Sequence, residues 1–158
     1  MNSLIPKACF FTGHRIIRKT DIDKIKERLR YEIENKIKEG VMVFIAGGAT
    51  GFDMMAQQAV LDLKERYPEI RLCLYLPCCD QAEHWSEKDR ERYFSYLKSA
   101  DEVYYVSREK YADGCMKRRN SAMVEAADCG IAYAWAGRSG TGQTLRMAEK
   151  KGIEVIKI

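Results

Sequence analysis

Short apolar runs alternate with amphipathic stretches from one end of the chain to the other, and this alternation predicts an α/β fold. Ala8 to Thr12, Val41 to Ala46, Ile70 to Leu76, Glu102 to Val106, Ile131 to Trp135 and Glu154 to Ile158 read as six strands. Their near-continuous apolar character fits strands covered on both faces, hence a parallel sheet. Between the first two strands, Ile22, Ile25, Leu29, Ile33 and Ile37 recur at steps of three and four, which predicts a helix capped by Thr20 and stopped by Gly40. A second helix starts near Asp53, turns Met55, Ala59, Val60, Leu63 and Tyr67 inward and ends at Pro68. A third runs from the Ser86 cap to about Lys98, and two more span about Met116 to Ala127 and Thr141 to Lys151. Right-handed crossovers make an open, doubly wound Rossmann-like sheet the leading topology, in strand order 3-2-1-4-5-6. No linker, repeat or low-complexity stretch interrupts the pattern, so residues 1–158 are expected to form a single domain.

Composition narrows the class further. Hydrophobic residues at 46% and charged residues at 32% are ordinary for a folded soluble protein, and no apolar run reaches membrane-spanning length. Met1 to Lys7 lacks the basic start and apolar stretch of a signal peptide, so a cytoplasmic protein with no membrane partner is expected. The six cysteines read as free thiols, because three lie inside apolar runs and the close pair Cys78-Cys79 is poorly placed to bridge. No Cys-x-x-Cys occurs and His14 and His84 lie far apart in sequence, so no metal is expected either. The net charge of +4 is mild and no basic, aromatic-interleaved patch stands out, which argues against nucleic acid as a partner.

In doubly wound sheets ligands settle outside the carboxyl ends of the strands, so the loops after each strand are the places to look. Thr12-Gly13-His14-Arg15 follows the first strand, Gly47-Gly48-Ala49-Thr50-Gly51-Phe52-Asp53 the second, and Gly137-Arg138-Ser139-Gly140-Thr141-Gly142-Gln143-Thr144 the fifth. Glycines there let backbone approach a ligand closely, and free amides at a helix N-terminus suit phosphate; the same glycines also serve tight turns and close packing. The pattern is neither Gly-x-Gly-x-x-Gly nor a P-loop, and no acidic residue ends the third strand at Leu76-Pro77. Dinucleotide dehydrogenases and P-loop NTPases are therefore disfavoured. Arg15, Arg119 and Asn120 lie in or just after strand-end loops, where arginine's fork can hold phosphate. His14 serves either as a phosphate donor and proton carrier or as a structural residue, and Asp53 either caps its helix or grips a ribose hydroxyl.

Taken together, Phe11-Thr12-Gly13-His14-Arg15, Gly48-Ala49-Thr50-Gly51-Phe52-Asp53, Pro77 with Gln81 and Trp85, Arg119-Asn120 with Met123-Val124, and Ser139-Gly140-Thr141 resemble the YpsA-like family of the SLOG superfamily. The resemblance implies a Rossmann-like fold and a site for a nucleotide derivative. It also brings in the phosphoribohydrolases of the superfamily, which carry Pro-Gly-Gly-x-Gly-Thr-x-x-Glu. The corresponding stretch here, Ser139-Gly140-Thr141-Gly142-Gln143-Thr144, has no Glu to stabilise an oxocarbenium-like centre or activate water.

The leading expectation is thus a domain that binds or senses a nucleotide or nucleotide-derived phosphate ligand, with no further cofactor assigned. Its ligand residues are Gly13, Arg15, Gly47, Gly48, Gly51, Asp53, Arg119, Asn120, Gly140, Thr141 and Gly142. The first alternative is a hydrolase of an N-glycosidic or phosphoester bond, for which Asp53, His14 and Glu125 are the catalytic candidates. The second, single-stranded nucleic-acid binding, comes from distant superfamily relatives. The resemblance also implies a homodimer formed through helices, with Tyr93 and Tyr96 as candidate exposed aromatics. Arg119→Ala is expected to weaken phosphate binding while leaving folding almost unchanged.

Overall fold

The computed structural model describes residues 5–134 and 140–158. Strands β1 (Lys7–Gly13), β2 (Val41–Ala46), β3 (Arg71–Leu76), β4 (Glu102–Tyr105), β5 (Cys129–Tyr133) and β6 (Glu154–Lys157) form one sheet in the order β4-β3-β2-β1-β5-β6, and every neighbouring pair is parallel. Helices α1 (Ile22–Lys38), α2 (Phe52–Leu63), α3 (Glu87–Ser99), α4 (Cys115–Ala126) and α5 (Gly140–Lys151) join them. The fold is the Rossmann-like α/β sheet that the alternation predicts.

The strand order departs from 3-2-1-4-5-6: β4 pairs with β3 at the sheet edge, and β5 takes the place beside β1. The burial of each strand gives the reason. Glu102–Tyr105 alternates exposed and half-buried positions, as an edge strand does, whereas Cys129–Tyr133 is buried along its whole length and needs a neighbour on both sides. The chain therefore reverses direction across the sheet between β1 and β5. The predicted extension of the fifth strand to Trp135, and Gly137, Arg138 and Ser139 of the loop beyond it, lie outside the described residues.

Two cores cover the sheet. On one face Phe11, Phe44, Leu72 and Leu74 meet α1 through Ile25, Leu29 and Ile33 and α2 through Ala56, Val60 and Leu63. On the other, Phe10, Ile45 and Cys73 meet α4 through Met123 and Val124 and α5 through Ala148. Tyr93 and Tyr96 are buried in the first core, so neither is available as the exposed interface aromatic the sequence suggested. Among the described residues no helix is long and apolar enough to cross a membrane.

Two strands begin with the same clasp. Asp101, just before β4, accepts the Leu72 amide on its carboxylate at 2.8 Å and donates its own amide to the Leu72 carbonyl at 2.9 Å. Asp128, just before β5, does the same with Ala8, at 2.9 and 2.8 Å. Each aspartate thereby satisfies backbone groups at the strand start and fixes the pairing register. At the helix starts, Ser86 Oγ accepts the Asp89 amide at 3.2 Å as expected. Thr20 is not the cap of α1: Lys19–Asp21 forms a short 3-10 turn and Asp21 takes the cap position without a side-chain bond.

Candidate functional site

A cleft of about 340 Å³ opens at the carboxyl ends of β1, β2 and β5, where the chain changes direction across the sheet. Gly13, His14 and Arg15 reach it from the end of β1, Asp53 from the first turn of α2, Arg119 and Asn120 from α4, and Gly140 and Thr141 from the start of α5. Eight of the residues singled out by sequence thus meet at one place. Gly47, Gly48, Gly51 and Gly142 do not line the cleft, and Glu125 lies on the exposed side of α4. Phe11, Thr12, Ala49, Met116 and Met123 line it without having been named as ligand residues. The two methionines were legible, since Met116 and Met123 stand three before and four after Arg119 on one helix face.

The glycines behind the cleft are explained by the protein's own packing. A Cβ on Gly13 would fall on the Phe52 ring, and one on Gly51, at φ +77°, would fall on the Arg15 carbonyl. A Cβ on Gly47 would stand 2.5 Å from Arg119 Nη1. Gly140 differs, because none of the described residues lies within 4 Å of its Cβ position and it borders the cleft. Among the described residues, backbone is thus open to close approach at the start of α5.

Asp53 is not the cap of α2, a position held by Gly51. It sits in the first turn at 6% exposure, and its Oδ2 accepts the Ala49 amide at 3.2 Å, tying down the glycine loop. Burial pushes its carboxyl above the usual range, opposed by the Arg119 charge, the Ala49 and Gly47 amides and Arg15. Arg119, 5% exposed, is a brace as much as a ligand residue. Its Nη1 donates to the Gly47 carbonyl at 2.6 Å and the Tyr75 carbonyl at 3.4 Å, and its Nε donates to Asn120 Oδ1 at 2.8 Å. Among the described residues Nη2 has only Met116 Sδ, at 3.7 Å, a weak acceptor. The expectation that Arg119→Ala would leave folding unchanged therefore gives way: the guanidinium stitches α4 to the ends of β2 and β3.

His14 is half-buried, with its ring edge-to-face on Tyr133 at 6.1 Å. Burial and the Arg18 charge hold its pKa below the usual value, so the imidazole is neutral at pH 7. Arg15 stands exposed at the rim. The helix ends complete the electrostatics. α2 carries Asp53 in its first turn, whereas α4 and α5 begin without an acidic residue and keep the partial positive charge of their termini. Trp85 packs edge-to-face on Tyr93 at 5.4 Å and takes no part in the cleft.

A six-stranded parallel sheet with a cleft at the strand reversal defines a Rossmann-like domain. The family model described as the YspA SLOG family matches residues 12–150, and the chain belongs to that family. UPF0398 proteins of Bacillus thuringiensis (strain Al Hakam) and Bacillus cereus (strain AH187) are 27% identical over 135 residues, covering 85% of this chain and 73% of theirs. Among solved structures, DNA processing protein A of Helicobacter pylori, studied for its single-stranded DNA binding mode, superimposes with a TM-score of 0.69 at 18% identity. The alignment covers 96% of this chain and 65% of that one. DNA processing protein A of Streptococcus pneumoniae gives 0.68 at 19%, over 96% of this chain and 50% of that one. These likenesses establish the fold. They also overturn the expectation set against nucleic acid as a partner, since a protein of this fold has a single-stranded DNA binding mode.

Proposed function

We propose that the cleft binds one nucleotide unit, with its phosphate on the start of α5 between Arg15 and Arg119. The observation that carries this reading is the convergence, on one cleft, of an acid-free helix N-terminus with backbone open at Gly140, an exposed arginine and a buried arginine whose Nη2 has no strong acceptor, each among the described residues. The volume lies at the low end of ligand pockets, roughly 300–1,000 Å³, which suits a mononucleotide better than a dinucleotide. Asp53 is the one carboxylate among the described lining residues and is already engaged by the Ala49 amide. A hydrolase working through paired carboxylates lacks its second group there. Binding without turnover is the function the site supports best.

A second reading has its own support. The exposed segment Arg15, Ile16, Arg18 and Lys19 runs from the cleft rim towards α1, and a positive strip beside a nucleotide cleft suits a single strand whose bases or terminal phosphate enter it. A thermal-shift panel of AMP, ADP-ribose, NAD and a 5′-phosphorylated oligothymidylate tests both readings. A ligand at 100 times its Kd adds about 2.7 kcal/mol of stability. Arg15→Ala is expected to weaken the best ligand about tenfold, the value of one charge-assisted bond, with unchanged unfolding of the free protein. If no compound shifts the transition at millimolar concentration, the cleft does not bind nucleotides. A shift with the oligonucleotide alone selects the second reading.

A further inference from the structure

We infer that Cys9 and Cys129 form a redox-responsive dithiol that a hydroperoxide converts to a reversible disulfide. The pair stands away from the cleft, towards the amino ends of β1 and β5. The two residues are direct register partners on adjacent parallel strands, so their side chains leave the same face of the sheet. Neighbouring strands run about 4.7–4.9 Å apart, inside the roughly 4.4–6.8 Å range of Cα separations that a disulfide spans. The Ala8–Asp128 clasp lies immediately before both cysteines and keeps that register from slipping. Cys9 Sγ donates to the Phe10 carbonyl at 3.6 Å and Cys129 Sγ to the Ala8 carbonyl at 3.8 Å.

The surroundings give the two sulfurs different roles. Lys36 of α1, only 4% exposed, carries its ammonium to the pair and is held there by Glu154 Oε1 at 3.1 Å and Glu39 Oε1 at 3.7 Å. The charged groups acting on the thiols are thus Lys36, Glu39 and Asp128, with Glu154 acting on Lys36. The neighbouring Cys9 thiol and the Lys36 charge draw the Cys129 thiol below its usual value against the pull of burial, while burial pushes Cys9 well up. Cys129, at 9% exposure, is the attacking sulfur, and the fully buried Cys9 resolves the product.

The Cys129 thiolate attacks a peroxide oxygen, the O–O bond breaks, and hydroxide leaves to become water by taking up a proton. Cys9 then attacks the sulfenic sulfur, the S–O bond breaks, and a second water leaves with the proton of Cys9. Two thiols lose two electrons and two protons, and one hydrogen peroxide becomes two waters.

The test treats the reduced full chain with hydrogen peroxide, blocks remaining thiols with iodoacetamide and maps the peptides by mass spectrometry. The expected product is an intramolecular Cys9–Cys129 link, lighter by about 2 Da for the two hydrogens lost and reversed by dithiothreitol. It should form equally in Cys79→Ser, which removes the exposed thiol, and be absent in Cys129→Ser. The wild-type map decides the matter even if Cys129→Ser misfolds. Oxidised protein in which Cys9 and Cys129 both remain alkylatable, or in which Cys129 passes to sulfinic acid without a link, overturns the inference.

Discussion

Arg119→Met isolates the guanidinium as a brace, because methionine keeps most of the side-chain volume and removes every donor. Three bonds to oxygen disappear, to Gly47, Tyr75 and Asn120, with the weak one to Met116 Sδ. The Gly47 carbonyl retains Gln81 Nε2 at 3.3 Å, so its loss is softened. The short Nη1 bond, a charged donor on a buried carbonyl, is worth about 1.5–3 kcal/mol. Asp53 meanwhile loses the strongest charge opposing its burial, keeping Arg15 and the Ala49 and Gly47 amides. Removing one member of a buried charge pair costs about 3–5 kcal/mol when the two touch, and less here because other groups still serve the carboxylate. The net expectation is a loss of about 3 kcal/mol. Urea unfolding followed by circular dichroism, with an unchanged m-value, measures it. Arg119→Lys should fall between, since one ammonium cannot span the Gly47 and Asn120 acceptors together. A loss below about 1 kcal/mol in Arg119→Met would refute the reasoning and return Arg119 to the ligand site alone.

Asp101 gives a pH signature. Burial raises its carboxyl, but the Lys64 bonds, the Leu72 amide and Arg71 outweigh it and the net shift is downward. A carboxylate depressed in the folded state adds stability above its unfolded value of about 3.9, and loses it as pH falls through the lower folded value. The stability gap between wild type and Asp101→Asn, expected at about 1 kcal/mol at pH 7, should close over that acid window; a gap that persists at the acid end speaks against it. A pair of glycine variants separates strain from collision. Gly152→Ala, at φ +82° with open space around it, should cost about 1–2 kcal/mol. Gly51→Ala has a similar φ but meets the Arg15 carbonyl, so it should cost more than that or fail to accumulate. Equal denaturation midpoints for the two would remove the steric argument.

Periodicity made the elements legible because the core demands it: Ile25, Leu29 and Ile33 face inward at helical spacing, and β5 reads as an unbroken apolar strand. Strand order was less visible. It depends on which strand tolerates an edge, and the alternation in Glu102–Tyr105 carries that information only faintly. The strand-end loops were located correctly by rule, yet the role of each glycine was not readable. Whether a missing Cβ leaves space beside the cleft, as at Gly140, or makes room for Phe52 and Arg119, as at Gly13 and Gly47, depends on contacts far apart in sequence. Arg119 misled for the same reason, since its acceptors Gly47 and Tyr75 lie 72 and 44 residues away.

The position of β1 between β2 and β5 has a consequence for how the chain acquires its structure. The strand is synthesised ahead of both neighbours, yet Cys9 and Phe10 must wait for partners at Cys129 and Gly130, far along the polypeptide. A nascent chain emerging from the ribosome carries Phe10 and Phe11 with one flank of their strand open until β5 appears. Contacts of such wide sequence separation slow folding, and an unpaired apolar strand edge invites aggregation. Chains stalled before residue 129 should therefore depend on chaperones far more than the finished protein does.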